Sequence, residues 1–426
     1  MKYDLYSHKN IRLSPLSLLL LLIGVTISLY ILLSDNHIYK LIPLWIFVYC
    51  IIAGLKEKFI INPYLLLSLL PLSLLVYDSK ISDRYLVELN TSTIILFSIN
   101  IMVLLITIKF TKPSRRTYLR DYISKHDLIK HTWIMFFIGN IPFIYRSILS
   151  RDIIFASIFA LFSYAAIVMS IKSKNKQLIL FISGFHLIKL LLNLDKLGLL
   201  FFIIVILVAL ERYFSLSKRD KLRFFLLLIL SGGLLIMTFH YRDYLRSGGD
   251  FFSYISGGIF DYNNTSYFLS SETNWKFPSQ LFMPYLYFTT PLTNLQFIIE
   301  TQNVRTYGLW ILKPIIGYLQ LDSMLVDKYS LVSYSSFNTF TYISVFFKDF
   351  GYLGSLLGSF LTGFYIKKIY TQLFLSKSPL LTVVYGFVAV ATLQMFFSNH
   401  FFQLAYPFTI LIIMYLYSFF ASVKLE

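Results

Sequence analysis

Two arginines four residues apart, Arg242 and Arg246, follow a long apolar run in the segment HYRDYLRSGGD (240–250). On a helix continuing out of that run they share one face. Two guanidinium forks side by side suit the oxygens of a phosphate; the plainer alternative is a pair of interfacial anchors paired with Asp243 and Asp250. Further on, NVRTYGLWILKP (303–314) groups Arg305, Tyr307 and Lys313. The stretch YSSFNTFTYISVFFKDFGYLG (334–354) then brings Asn338, Thr339 and Tyr342, neutral groups of the kind that read sugar hydroxyls, and ends on Lys348 and Asp349 at the mouth of another apolar run. Asp349, His240 and His400 are the groups able to take a proton from a hydroxyl. Tyr244, like Tyr307 and Tyr342, offers a ring face for stacking on a sugar, although tyrosine is also enriched at membrane interfaces for amphipathic reasons alone.

The elements that must position these residues are membrane helices. Hydrophobic residues make up 57% of the 426-residue chain and charged residues 14%, with a mean hydropathy of +0.68. Soluble proteins carry charge on about a quarter of their residues. A hydrocarbon core needs about 20 apolar residues at helical rise. Apolar runs give crossings at roughly 14–33, 38–54, 60–77, 92–108, 131–146, 152–171, 177–192, 197–211, 224–239, 349–366, 380–397 and 404–421. The fold expected is an all-α polytopic membrane protein of about twelve transmembrane helices. It divides into helices over 1–239, one large external loop over 240–348 and the last helices over 349–426. The first run lacks a cleavage pattern and is expected to stay as a helix. The most crowded place is the short turn 193–196 between two brief crossings. Lone Cys50 provides no disulfide framework and no thiol cluster.

Lysine and arginine fix the expected orientation. With the N-terminus inside, 24 of them fall in the inner segments and six in the short outer loops. That places both termini in the cytoplasm and the 240–348 segment on the outer face of a cytoplasmic membrane. The net charge of +17 then reflects topology and attraction to anionic inner-leaflet lipid; no nucleic-acid module accompanies it. Within the loop, the 281–300 stretch is interrupted by Pro284 and Pro291 and is expected to lie as an interfacial or re-entrant helix. Gly354 and Gly358, with Gly351 nearby, form a small-xxx-small pattern for close packing against a neighbouring helix. His186 and Lys189 are ionisable residues on one face of a crossing. Lys189 lies near the outer end of that crossing, where snorkelling to the interface is the plain reading.

Asn338-Thr339-Phe340, Asp349-Phe350-Gly351 and Gly354, with Arg305-Thr306-Tyr307-Gly308 upstream, resemble the O-antigen polymerases of the Wzy type and related oligosaccharide repeat-unit polymerases. About twelve helices with one large external loop before the last three is similar to that family too. The resemblance implies a GT-C-like helical fold in the bacterial inner membrane, an active side facing the periplasm, and no metal or other cofactor. The implied reaction transfers a glycan from undecaprenyl pyrophosphate to the non-reducing-end hydroxyl of a new lipid-linked repeat unit. Partners implied are that lipid-linked oligosaccharide, membrane lipid, a chain-length regulator and a flippase.

Such a transfer needs stabilisation of the charge growing on the leaving pyrophosphate, which preorganised cations supply without a metal. Arg242 and Arg305 are the favoured candidates, with Arg246, Lys313, Lys348 and Lys189 as further cations. Two other readings fit the composition. An O-antigen ligase or a lipid-linked-sugar glycosyltransferase differs in acceptor, and common forms of the latter carry an acidic motif in a long first external loop, which is short here. A flippase or exporter of lipid-linked oligosaccharide suits twelve crossings, but the chain divides as nine plus three around an ordered loop rather than as paired halves.

Overall fold

The computed structural model describes residues 41–57, 59–78, 89–112, 125–149, 156–193, 195–214, 230, 233, 282–301, 305–312, 339–375, 378–396 and 398. Every regular element among them is a helix: α1 (Leu41–Leu55), α2 (Pro63–Leu67), α3 (Leu69–Asp78), α4 (Thr91–Phe110), α5 (Lys125–Leu149), α6 (Ala156–Ser173), α7 (Lys176–Leu192), α8 (Lys196–Tyr213), α9 (Phe282–Thr301), α10 (Tyr342–Leu375) and α11 (Pro379–Leu393). Helix α4, at 20 residues, is long and apolar enough to cross a membrane, and Leu41–Leu55, Pro63–Tyr77, Phe159–Ser173 and Pro379–Leu393 are shorter apolar helices. The runs at 14–33 and 404–421, and all of 224–239 but residues 230 and 233, lie outside the described residues.

Local chemistry sets the boundaries. Asn62 caps α2 by accepting from the backbone N–H groups of Tyr64 and Leu65, with Pro63 in the first turn where no donor is needed. Ser378 and Pro379 repeat the device at the start of α11. The crowded turn between α7 and α8 is closed by Asp195, whose carboxylate accepts from the Gly198 N–H at 2.9 Å.

Helix α4 packs along α10, α5 along α6, and α11 against α6, α8 and α10. One end of the bundle is basic. There Tyr370 of α10 donates to Glu57 at 3.2 Å, Tyr385 of α11 donates to the Ile61 carbonyl at 2.8 Å, and Glu211 of α8 accepts from the Ile60 N–H at 2.6 Å. Lys174 lies over the Phe214 ring at the same end, 5.7 Å from its centroid.

Helix α10 does not run straight. At Gly351 the backbone takes φ 67° and ψ −150°, a conformation open to glycine and costly for any residue with a Cβ. The chain before it, Tyr342–Phe350, folds back along the chain after it. The Tyr342 hydroxyl lies 3.1 Å from Ser359 Oγ, whereas 17 residues of straight helix would span about 25 Å. A Cβ on Gly354 would come within 2.8 Å of the Phe346 carbonyl oxygen, and one on Gly358 within 2.4 Å of the Phe346 ring. The small-residue spacing does license close packing, and the partner is the helix's own preceding arm.

This arm corrects the expected outline. Residues 342–348 fall to the external loop by sequence, yet Tyr342, Ile343, Phe346 and Phe347 are buried in the bundle core. The boundary expected between Lys348 and Asp349 therefore lies within the arm, and the structural break comes at Gly351. Helix α9, expected as an interfacial or re-entrant helix, packs into the bundle against α3, α4 and α10, with Pro291 inside it. Its polar residues find partners there: Thr293 with the Tyr77 hydroxyl at 3.0 Å, Gln296 with the Asn90 N–H at 2.8 Å, and Asn294 with the Thr339 carbonyl at 2.8 Å. Phe288 stacks on Phe396 at 4.3 Å. Between α4 and the part of α10 after Gly351, Asn100 donates to Ser355 at 3.2 Å and accepts from Ser359 at 2.7 Å, so these buried polar groups are satisfied internally.

The packing sets a stability expectation. Gly358→Ala is expected to lower stability by about 1–3 kcal/mol through overpacking against Phe346, and the double variant with Phe346→Leu to recover part of it. Thermal unfolding of the purified chain in detergent reads both.

Candidate functional site

The reversal at Gly351 gathers charge at the end of the bundle opposite the basic one. Residues 305–308 wrap over the apex, with Tyr307 at φ 49° and Gly308 at φ 97°. A positive φ on a bulky residue is held only by strong surroundings. Here the Thr306 and Tyr307 N–H groups donate to the carbonyls of Lys348 and Asp349, at 3.3 and 3.2 Å. The bend turns Tyr307 outward, leaving it 80% exposed.

Arg305 lies across the apex. Its guanidinium carbon sits 4.7 Å from the Phe347 ring centroid, and Nη1 donates to the Phe347 carbonyl at 2.9 Å. That carbonyl belongs to the last turn of the arm, where a helix favours a cation. A Cβ on Gly351 would meet the guanidinium at 3.3 Å, so the glycine also makes room for it. One of the five guanidinium N–H donors is used by this hydrogen bond.

Lys348 is 1% exposed. Burial pushes its ammonium below the ordinary lysine range, the neighbouring Arg305 adds to this, and Asp349 opposes it. Two cations thus share the apex with one carboxylate. Phe350 and Tyr352 are about half exposed beside them, and the Phe350 ring comes within 3.6 Å of the Cβ position of Gly308.

Asp349 holds this loop. Its carboxylate is fully buried, and accepts from the Thr306 hydroxyl and, at 3.1 and 2.9 Å, from the backbone N–H groups of Trp310 and Ile311. Asp349, expected as a base, has its oxygens on three donors that tie 306–311 onto the apex. Tyr342, expected to meet a sugar, is fully buried with its hydroxyl on Ser359. Thr339 pairs with Thr290, Oγ1 to Oγ1, at 3.2 Å.

Of the expected site residues, Arg305, Tyr307, Lys348 and Asp349 are brought together. Lys189 is held elsewhere, on α7, donating to Asn140 of α5 at 3.0 Å. His240, Arg242, Tyr244, Arg246, Lys313, Asn338 and His400 lie outside the described residues. Thr306 and Phe350 stand in the sequence only within the motifs that carry the resemblance, without a role of their own, and Tyr352 not at all; no spacing announces that 306 meets 349. Among the described residues no group of three or more His, Cys, Asp or Glu could hold a metal ion. No protein-family profile, no curated protein and no solved structure matches the chain.

Removing the carboxylate takes the acceptor from the buried Thr306 hydroxyl, at about 1–3 kcal/mol for such a group, and from two part-buried N–H groups. Asp349→Ala is therefore expected to loosen 305–311 and to speed tryptic cleavage after Arg305. Phe350→Ala, beside it but outside the hydrogen-bond set, is expected to leave the cleavage rate near that of the parent chain.

Proposed function

We propose that this chain is a multi-pass membrane glycosyltransferase that polymerises lipid-linked oligosaccharide repeat units, with the Gly351 apex as the site that receives the leaving pyrophosphate. The observation that carries the proposal is the meeting of Arg305 and Lys348 at the apex, with Asp349 occupied in fixing the loop. Two cations against the single carboxylate of Asp349 leave the apex with an excess of positive charge, which suits a phosphate. The exposed Tyr307 next to the cations offers a ring face for a sugar. Orientation supports the same reading: Lys174 and the Glu57, Tyr370 cluster mark the basic end, and positive-inside asymmetry would put that end in the cytoplasm. The apex would then face the periplasm of a bacterial inner membrane.

In this reaction the bond between the donor sugar's anomeric carbon and the pyrophosphate oxygen breaks. The acceptor hydroxyl oxygen bonds to the same carbon and gives up its proton, and the lipid pyrophosphate leaves with the bonding pair. Arg305 and Lys348 meet the charge that accumulates on the leaving oxygen. Donors preorganised for such charge are worth about 10²–10³ in rate each. The proton acceptor is to be sought among groups other than Asp349, with His240 and His400 the candidates by sequence. The lipid-linked substrate, a flippase that supplies it and a regulator of chain length are the partners this reading entails.

Glycan profiling in the native bacterium tests it. A deletion strain is expected to carry lipid cores capped with a single repeat unit, restored to long polymer by the parent chain and not by Arg305→Ala at matched membrane levels. Loss of capped cores altogether, with repeat units held on carrier lipid, would overturn the polymerase reading in favour of export or ligation.

A further inference from the structure

A second place in the bundle combines an apolar groove with a cation, well apart in sequence and element from the apex. Helices α5 and α7 meet through rings: Trp133 and Phe136 of α5 lie 5.5 and 5.7 Å from Phe181 of α7, and Phe136 lies 5.3 Å from Phe185. These rings form a floor. On either side rise apolar residues that remain exposed, Phe137 and Ile141 from α5 and Ile188 from α7, at 60%, 43% and 59%. On the α7 side the wall is notched at Gly184, where a Cβ would find no atom within 4 Å.

The floor ends in charge. Lys189 stands one turn from the end of α7, donating to Asn140 at 3.0 Å and lying 5.9 Å from the centroid of the Phe143 ring. An ammonium has three donors; one is on Asn140, and the carboxylate in reach of its field, Asp195, is turned to the Gly198 N–H. Asn140 is itself buried and donates to the Phe136 carbonyl at 2.8 Å, so the acceptor that aims the lysine is fixed by its own helix. The lysine is half-buried, and its head is left at the rim of an aromatic channel.

We propose that the α5–α7 groove binds an anionic phospholipid of the surrounding bilayer, its acyl chain along the aromatic floor and its phosphate at Lys189. The proposal rests on the reading of the chain as membrane-embedded and not on the polymerase reaction. Charge selects the occupant: a ring-lined channel alone takes any acyl chain, whereas an ammonium with donors to spare at its rim favours a lipid whose headgroup carries net negative charge. The polar rim and apolar floor follow the division that interfacial lysines and aromatics make in a membrane.

Native mass spectrometry of the purified full chain, equilibrated with equimolar phosphatidylglycerol and phosphatidylethanolamine in mixed micelles, tests it. The parent chain is expected to retain phosphatidylglycerol in preference. Lys189→Met is expected to reduce that retention roughly fivefold, the equivalent of about 1 kcal/mol for one lysine facing anionic lipid. Lys176→Met, at the other end of α7, is expected to leave it unchanged. Equal retention of both lipids by the parent chain, or no loss in Lys189→Met, overturns the proposal. Should Lys189→Met fail to fold, phosphatidylglycerol with a photoreactive acyl chain decides the matter on the parent chain. Labelling of 133–144 and 180–191 supports the groove, and labelling confined to other segments overturns it. Retention is read without turnover, so failure here leaves the apex reading to its own test.

Discussion

Gly351 is the constraint on which the site depends. At φ 67° and ψ −150° one residue reverses a helix, and the arm before it is pressed against the rod after it through Gly354 and Gly358. Everything gathered at the apex follows from that reversal. It exposes the last carbonyls of the arm for Arg305, brings Asp349 under the 306–311 loop, and buries Lys348 beside a guanidinium.

The division of labour at the apex is electrostatic. A buried carboxylate is costly unless its lone pairs are met, and Asp349 meets three donors from one short stretch of chain. The two cations do not neutralise each other, and the ring of Phe347 under Arg305 restricts the directions in which its remaining donors can point. The arm is steadied from below by neutral hydrogen bonds, Tyr342 to Ser359 and Ser359 to Asn100. No charge is spent in the middle of that contact.

Much of the helical layout was legible in the sequence because apolar runs and caps are local signals. The run at 92–108 became Thr91–Phe110, that at 177–192 became Lys176–Leu192, and the tight turn at 193–196 is closed by an Asp195 cap. The arm was not legible, since residues 342–350 are as apolar as the rod they fold onto and periodicity carries no sign of direction. Gly354 and Gly358 announced a close neighbour without saying which. The place of helix α9 was not legible because its prolines and threonines are as common at interfaces as in bundles; here Thr293 meets Tyr77 of α3, Asn294 the Thr339 carbonyl and Gln296 the Asn90 N–H. Asp349 stood out by its charge at the mouth of an apolar run, but its hydrogen-bond partners did not. Its partners lie about 40 residues upstream, beyond the reach of spacing arguments.

The most direct measurement is a disulfide between positions 346 and 358, where a Cβ on Gly358 would lie 2.4 Å from the first ring carbon of Phe346, installed as Phe346→Cys with Gly358→Cys in a Cys50→Ser background and read by mobility after oxidation and tryptic cleavage at Lys348 between the two sites. The folded-back arm predicts efficient cross-linking of this pair and none between position 346 and position 370. A straight helix, which would hold 346 and 358 about 18 Å apart, predicts no cross-link at all, and that result would contradict the reversal at Gly351 and the apex built on it.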